Sequence, residues 1–137
     1  MPTDVFSVTS FNELCREALS VERWNLLHTN ETQRVPYVKQ LFRDREGPIV
    51  AATDYMRTVP DQIRQWVGGR YITLGTDGYG RSDSRAQLRK HFEVDRNHIA
   101  ITALRALADE GKVDKATLAK AMQNLAIDPS KPDPWKV

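Results

Sequence analysis

The residues with the most chemical potential stand together in one stretch, Tyr71–Asp83, YITLGTDGYGRSD. Gly75, Gly78 and Gly80 break a polar run that carries Asp77, Arg81 and Asp83. A glycine turn of this kind could cradle phosphate with backbone amides. The spacing here is G-x-x-G-x-G, however, not the dinucleotide fingerprint G-x-G-x-x-G, and G-x-x-x-x-G-K-[ST] is absent. The plainer reading is a turn that presents Asp54, Thr76, Asp77, Tyr79, Arg81 and Asp83 at a sheet edge, as an interface loop. A small-anion or nucleotide regulatory site at Gly75–Arg81 is the alternative.

The other reactive residue types do not assemble into a catalytic set. His28, His91 and His98 fall in different elements, none with metal-ligand spacing to a second His or Cys. His91 is expected to be exposed. Cys15 is alone and sits in a helical pattern, so it reads as a small buried hydrophobe in a reducing compartment. No G-x-S-x-G elbow occurs. Thr53-Asp54 and Thr76-Asp77, each at a strand end, put two acids near one edge, where they could repel one another. No catalytic, cofactor-binding or metal residue is assigned.

The elements that position these residues follow from periodicity. Tyr71–Leu74 is a strand of aromatic, β-branched and apolar residues. Ser82 or Ser84 caps a helix over Arg85–Phe92. Upstream, Asp4–Val8 reads as a strand, with Val5, Phe6 and Val8 apolar. Ser10-x-x-Glu13 has the form of a capping box. It opens a helix from Phe11 to Leu27, with Leu14, Cys15, Ala18, Val21, Trp24 and Leu27 as its buried stripe. Pro36 suits the first turn of a short helix to Phe42. Pro48–Ala52, PIVAA, is a strand covered on both faces. Thr53-Asp54 could cap the next helix. Pro60 then requires either a helix beginning near Thr58 or a kink. Ile63, Trp66 and Val67 are its apolar positions.

Downstream, Asp95 caps a longer helix with Ile99, Ile101, Ala103, Leu104 and Leu107 apolar, and Gly111 stops it in the left-handed region. Asp114 caps the last helix, with Leu118, Met122 and Leu125 inward. Asp128–Val137 holds three prolines and reads as an extended tail, with Trp135 as an anchor or partner contact. Strands alternating with helices give an α/β fold with a mostly parallel sheet.

Composition narrows the function classes. The chain has 137 residues, 40% hydrophobic and 28% charged, which fits one soluble domain. A net charge of +2, with basic residues interleaved among acids, gives no case for nucleic acid. No apolar run approaches the roughly 20 residues of a membrane span.

Several segments together carry a family resemblance: DVFSVTSFNEL (Asp4–Leu14), ERWNLLH (Glu22–His28), ETQRVPYV (Glu31–Val38), VAATDYM (Val50–Met56), LGTDGYGRSDSRAQLRKHFEVD (Leu74–Asp95) and ALADEGKVDK (Ala106–Lys115). They resemble the carboxyl-terminal domain of the homodimeric bacterial pyruvate dehydrogenase component. The resemblance implies a three-layer α/β/α Rossmann-like domain of transketolase carboxyl-terminal type over residues 1–127, followed by the tail 128–137.

It also implies an oxidoreductase that decarboxylates pyruvate and reductively acetylates lipoyl groups. Thiamine diphosphate and magnesium would be held by domains upstream, so this fragment alone is expected to be inactive. Its role would be structural and dimerising, in the cytoplasm, with a second copy and the acetyltransferase component as partners. Docking of another subunit is a rival role. By the same resemblance the chain lacks a strand and helix that would precede Asp4, the strand lying between those at Asp4–Val8 and Pro48–Ala52. The gap is expected to be closed by this chain itself or by a strand from another copy.

Overall fold

A computed structural model describes residues 2–137. The chain divides into two compact units. One holds the residues up to Asp44 together with Gln62–Gly68; the other holds Arg45–Asp61 and Gly69–Val137.

The first unit is built on α1 (Phe11–Leu27) and α2 (Tyr37–Phe42). Ser10 accepts the Glu13 amide at 3.1 Å, the first half of the capping box. Phe11, Leu14, Cys15, Ala18, Val21 and Trp24 form the inner stripe at three- and four-residue steps, with Ala18 fully buried. Leu27 is not part of it: the stripe drifts around the helix, and Leu26 and Leu27 end exposed, Leu26 by 74%.

Polar groups on α1 then fix the chain that returns to α2. The Asn25 amide bonds both the N–H and the C=O of Arg34, at 2.8 and 2.9 Å, and Glu17 accepts the Tyr37 amide at 3.0 Å. The Trp24 ring takes His28 in a stack at 4.3 Å and the Arg34 guanidinium at 3.7 Å, a cation–π contact. Val38 is fully buried, and Ile63, Trp66 and Val67 complete this core. Burying side chains of this size contributes about 1.5–3 kcal/mol each. The Trp66 indole N–H is satisfied by Glu22 at 2.7 Å.

Asp4–Val8 is not a strand. Extended backbone becomes a strand only as part of a ladder, and the sheet of the described residues does not include this segment. Val5 stays 90% exposed, while Phe6 packs edge-on against Phe42 at 5.6 Å. The sheet therefore has two strands rather than three.

That sheet belongs to the second unit. β1 (Ile49–Ala52) and β2 (Tyr71–Leu74) pair in parallel, from Ile49 opposite Tyr71 to Ala52 opposite Leu74. Tyr71 and Thr73 point to the buried face of β2. α3 (Thr58–Asp61) starts at Thr58, which settles the proline: Pro60 lies in the first turn, where its missing N–H costs no helix bond. It is fully buried, and its carbonyl accepts the Tyr71 hydroxyl at 2.8 Å. Thr53 does not cap this helix; its hydroxyl accepts the Tyr55 amide at 3.1 Å and closes a local turn.

α4 (Arg85–His91), α5 (Arg96–Asp109) and α6 (Lys115–Asn124) follow, capped by Ser84, Asp95 and Asp114. All three end in the same way. The amides of Val94, Lys112 and Ile127 reach back five residues to Arg89, Leu107 and Met122 at 2.9, 2.9 and 3.0 Å, a Schellman closure. This needs a left-handed residue, which is Gly111 after α5 but Glu93 (φ 61°) after α4 and Ala126 (φ 50°) after α6.

α5 packs on β1 and α6. The Arg70 guanidinium, 2.7 Å from Asp109, holds that carboxyl below the usual carboxylate range, and Arg105 adds to it. A depressed carboxylate pKa contributes stability that is present at neutral pH and is lost as pH falls through the lowered value.

Candidate functional site

Because β1 and β2 are parallel, both carboxyl ends lie on one edge, and both following segments leave from it. They continue side by side. Thr53 N–H donates to Leu74 O at 3.0 Å, Thr76 N–H to Tyr55 O at 2.9 Å, and the Thr76 hydroxyl to Asp54 O at 2.9 Å.

The two acids at this edge are kept apart by separate arginines. Asp54 accepts a forked pair from Arg89 on α4, at 3.0 and 3.3 Å. That bond holds the Arg89 proton more firmly than usual. Asp77 turns inward, only 9% exposed, and accepts both the amide and Nε of Arg57, at 3.2 and 2.9 Å. The expected repulsion between the acids is thus replaced by two local pairings.

The first two glycines of the turn are occupied by protein. A Cβ on Gly75 would lie 2.6 Å from the Arg57 nitrogen and 2.7 Å from Tyr55 O. A Cβ on Gly78, where φ is +111°, would lie 2.7 Å from Pro134 O. No amide cradle remains for a phosphate there. Gly80 has open space around it.

Beyond Gly80 the turn opens onto a cavity of about 520 Å³. Asp54, Thr76, Arg81 and Asp83 line it, four of the six residues singled out from the sequence. Asp77 does not line it, and Tyr79 projects outward, 82% exposed. Two charged lining residues were missed, Arg85 and Arg89. Their four-residue spacing on the helix capped by Ser84 places both on one face, a signal that was available in the sequence.

A second recess, of about 480 Å³, shares Arg81, Asp83 and Leu88 with the first and adds Lys90, His91 and Lys131. His91 is not the exposed residue expected: its Nε2 is buried without a hydrogen-bond partner. Burial pushes its imidazole below the ordinary value, and the charges of Arg81 and Lys131 push the same way. Lys131 belongs to the tail. Its ammonium donates to His91 O at 2.6 Å and to Glu93 Oε1 at 2.9 Å. The tail then forms a 3₁₀ turn, Pro134–Lys136, against Gly78.

Among the described residues no group of three or more His, Cys, Asp or Glu side chains is placed to hold a metal ion. No described helix is long and apolar enough to cross a membrane. With Gly75 and Gly78 closed in by Tyr55, Arg57 and Pro134, the glycine turn offers no cradle for a diphosphate.

A small parallel α/β sheet with its loops gathered at one edge defines a class, and comparison assigns it. The chain belongs to the transketolase-like TK C-terminal domain family, whose family model matches residues 1–95. The particular relatives are more specific. The chain is 51% identical over 132 residues to the pyruvate dehydrogenase E1 component of Pseudomonas aeruginosa. It is 47% identical over 135 residues to that of Cupriavidus necator and 50% identical over 133 residues to that of Escherichia coli K12. These alignments cover 96–98% of the chain but only 15% of each relative.

Proposed function

We propose that this chain acts as the carboxyl-terminal scaffold and dimerisation domain of a pyruvate dehydrogenase E1 component. In this reading the complete cytoplasmic enzyme decarboxylates pyruvate with thiamine diphosphate and magnesium. It passes the acetyl group to a lipoyl carrier on the acetyltransferase. The domain spans residues 1–127, and the tail 128–137 is its last segment.

The observation that carries the reading is a pairing of high identity with low coverage. About half the residues match the relatives, yet the matched stretch is 15% of their length. Within it the two acids at the strand ends are spent on arginines, Asp77 on Arg57 and Asp54 on Arg89. Tyr79 and Trp135, 82% and 59% exposed, are the kind of aromatic residues that interfaces use. Together with Asp54, Thr76, Arg81 and Asp83 they are the contact residues of this reading.

The test compares the parent enzyme with and without this segment. Loss of the segment should convert the dimer to monomer in analytical ultracentrifugation. A dimer that survives deletion counts against the dimerisation role. Decarboxylation of pyruvate by the isolated 137-residue chain, supplied with thiamine diphosphate and magnesium, counts against the scaffold role.

A further inference from the structure

We propose that the recess formed by Arg81, Lys90, His91 and Lys131, about 480 Å³ in volume, binds a small polyvalent oxyanion. This goes beyond a scaffold role and does not depend on it.

The charges are the first argument. Three permanent cations, Arg81, Lys90 and Lys131, line the recess, against one acid, Asp83. Asp83 accepts the Ser84 amide at 2.6 Å. Glu93, just beside it, is taken by Lys131. Arg81 and Lys90 enter no ion pair among the described residues. Lys131 spends two of its three donors on His91 O and Glu93, which leaves one. Cations gathered in a concave site raise the local potential and concentrate counter-ions there.

The second argument is independent of charge counting. Buried polar atoms are nearly always hydrogen-bonded, so an exception needs a reason. Among the described residues the exception is Nε2 of His91, in a residue that lines this recess. An anion that reached Nε2 would supply the partner it lacks.

The third argument is where the site is not. Gly75 and Gly78 are filled by the protein's own backbone, so the turn itself cannot wrap a phosphate. The anion chemistry lies beyond the turn, on α4 and the tail. The volume has room for pyrophosphate or citrate and lies within the usual range for small-ligand sites.

Calorimetry of the purified chain with inorganic pyrophosphate, and separately with citrate, tests this near physiological salt, about 0.15 M. One-to-one binding is expected, with the His91 imidazole signals moving in NMR. The double variant Arg81→Gln/Lys90→Gln changes exposed groups and should remain folded by circular dichroism. It should weaken binding by about tenfold or more, since each lost charge-assisted bond is worth about that factor. Lys120→Gln, on α6, should leave binding unchanged.

Tighter binding of pyrophosphate assigns phosphoryl ligands, and tighter binding of citrate assigns polycarboxylates; either result supports the site. No heat with either anion, binding unaffected by the double variant, or still His91 signals would overturn it.

Discussion

The two halves of the glycine turn use the same residue type for opposite ends. From Gly75 to Gly78 the missing side chains let other backbone close in: Arg57 and Tyr55 at one glycine, Pro134 at the other. From Gly80 to Asp83 nothing closes in, and two cavities open instead. The acids divide along the same line. Asp77 is buried and paired with Arg57, whereas Asp83 lines both cavities and caps only local backbone. One half is therefore part of the core of its unit, and the other is free to meet a ligand or a partner. Three alanine substitutions, one at each glycine, measure how sharp that boundary is.

Gly75→Ala should cost the most, about 3 kcal/mol. The new methyl would meet backbone nitrogen and oxygen at 2.6 and 2.7 Å. Those atoms belong to the segment that carries Thr76 N–H to Tyr55 O and Arg57 N–H to Asp77, so neither strand end can yield without losing a bond. Urea denaturation followed by circular dichroism reads the loss directly. A cost below about 1 kcal/mol would mean that the segments after β1 and β2 are not locked together.

Gly78→Ala should cost less, about 2 kcal/mol, although the position is doubly unfavourable. A φ of +111° strains any L-residue, and the methyl would meet Pro134 O at 2.7 Å. Pro134 belongs to the tail, however, and a tail can lift. The expected signature is a smaller stability loss together with faster proteolysis between Lys131 and Val137. Unchanged proteolysis with a stability loss as large as that of Gly75→Ala would place the tail in the same rigid body as the strands.

The contrast also separates what the sequence carries from what only the fold decides. The edge was legible, because a parallel pair of strands puts Asp54, Thr76, Arg81 and Asp83 on one side wherever the helices go. The caps were legible as well: Ser10, Ser84, Asp95 and Asp114 act within three residues of themselves. Local side-chain chemistry is enough to write them.

Longer-range effects were not legible. His91 is half-buried where the tail crosses, and its Lys131 partner lies 40 residues further on. Asp77 and Tyr79 are two apart in a turn without strand alternation, so no pattern says which goes inward. Asp4–Val8 has strand composition, but a strand needs a neighbour, and composition cannot supply one. Gly111 announced its helix end by type, whereas Glu93 and Ala126 adopt the same left-handed backbone with residues that give no such warning. There the closure bonds on either side impose a conformation the residue itself disfavours, at roughly 1 kcal/mol.

Gly80→Ala should have the smallest effect and carries the most weight for function. Nothing lies within 4 Å of the added methyl, and the backbone is not in the left-handed region. Restricting the unfolded chain should then leave stability unchanged or raise it by up to about 0.5 kcal/mol. A loss above about 1 kcal/mol would extend the packed half of the turn through Gly80 and erase the boundary drawn here. With stability preserved, the same variant becomes a clean probe of the open half. Gly80 lines the larger cavity with Arg81 and Arg85, so a methyl there narrows the space without touching a charge. In the parent enzyme, weaker dimerisation in this stable variant would tie the open half to the subunit interface.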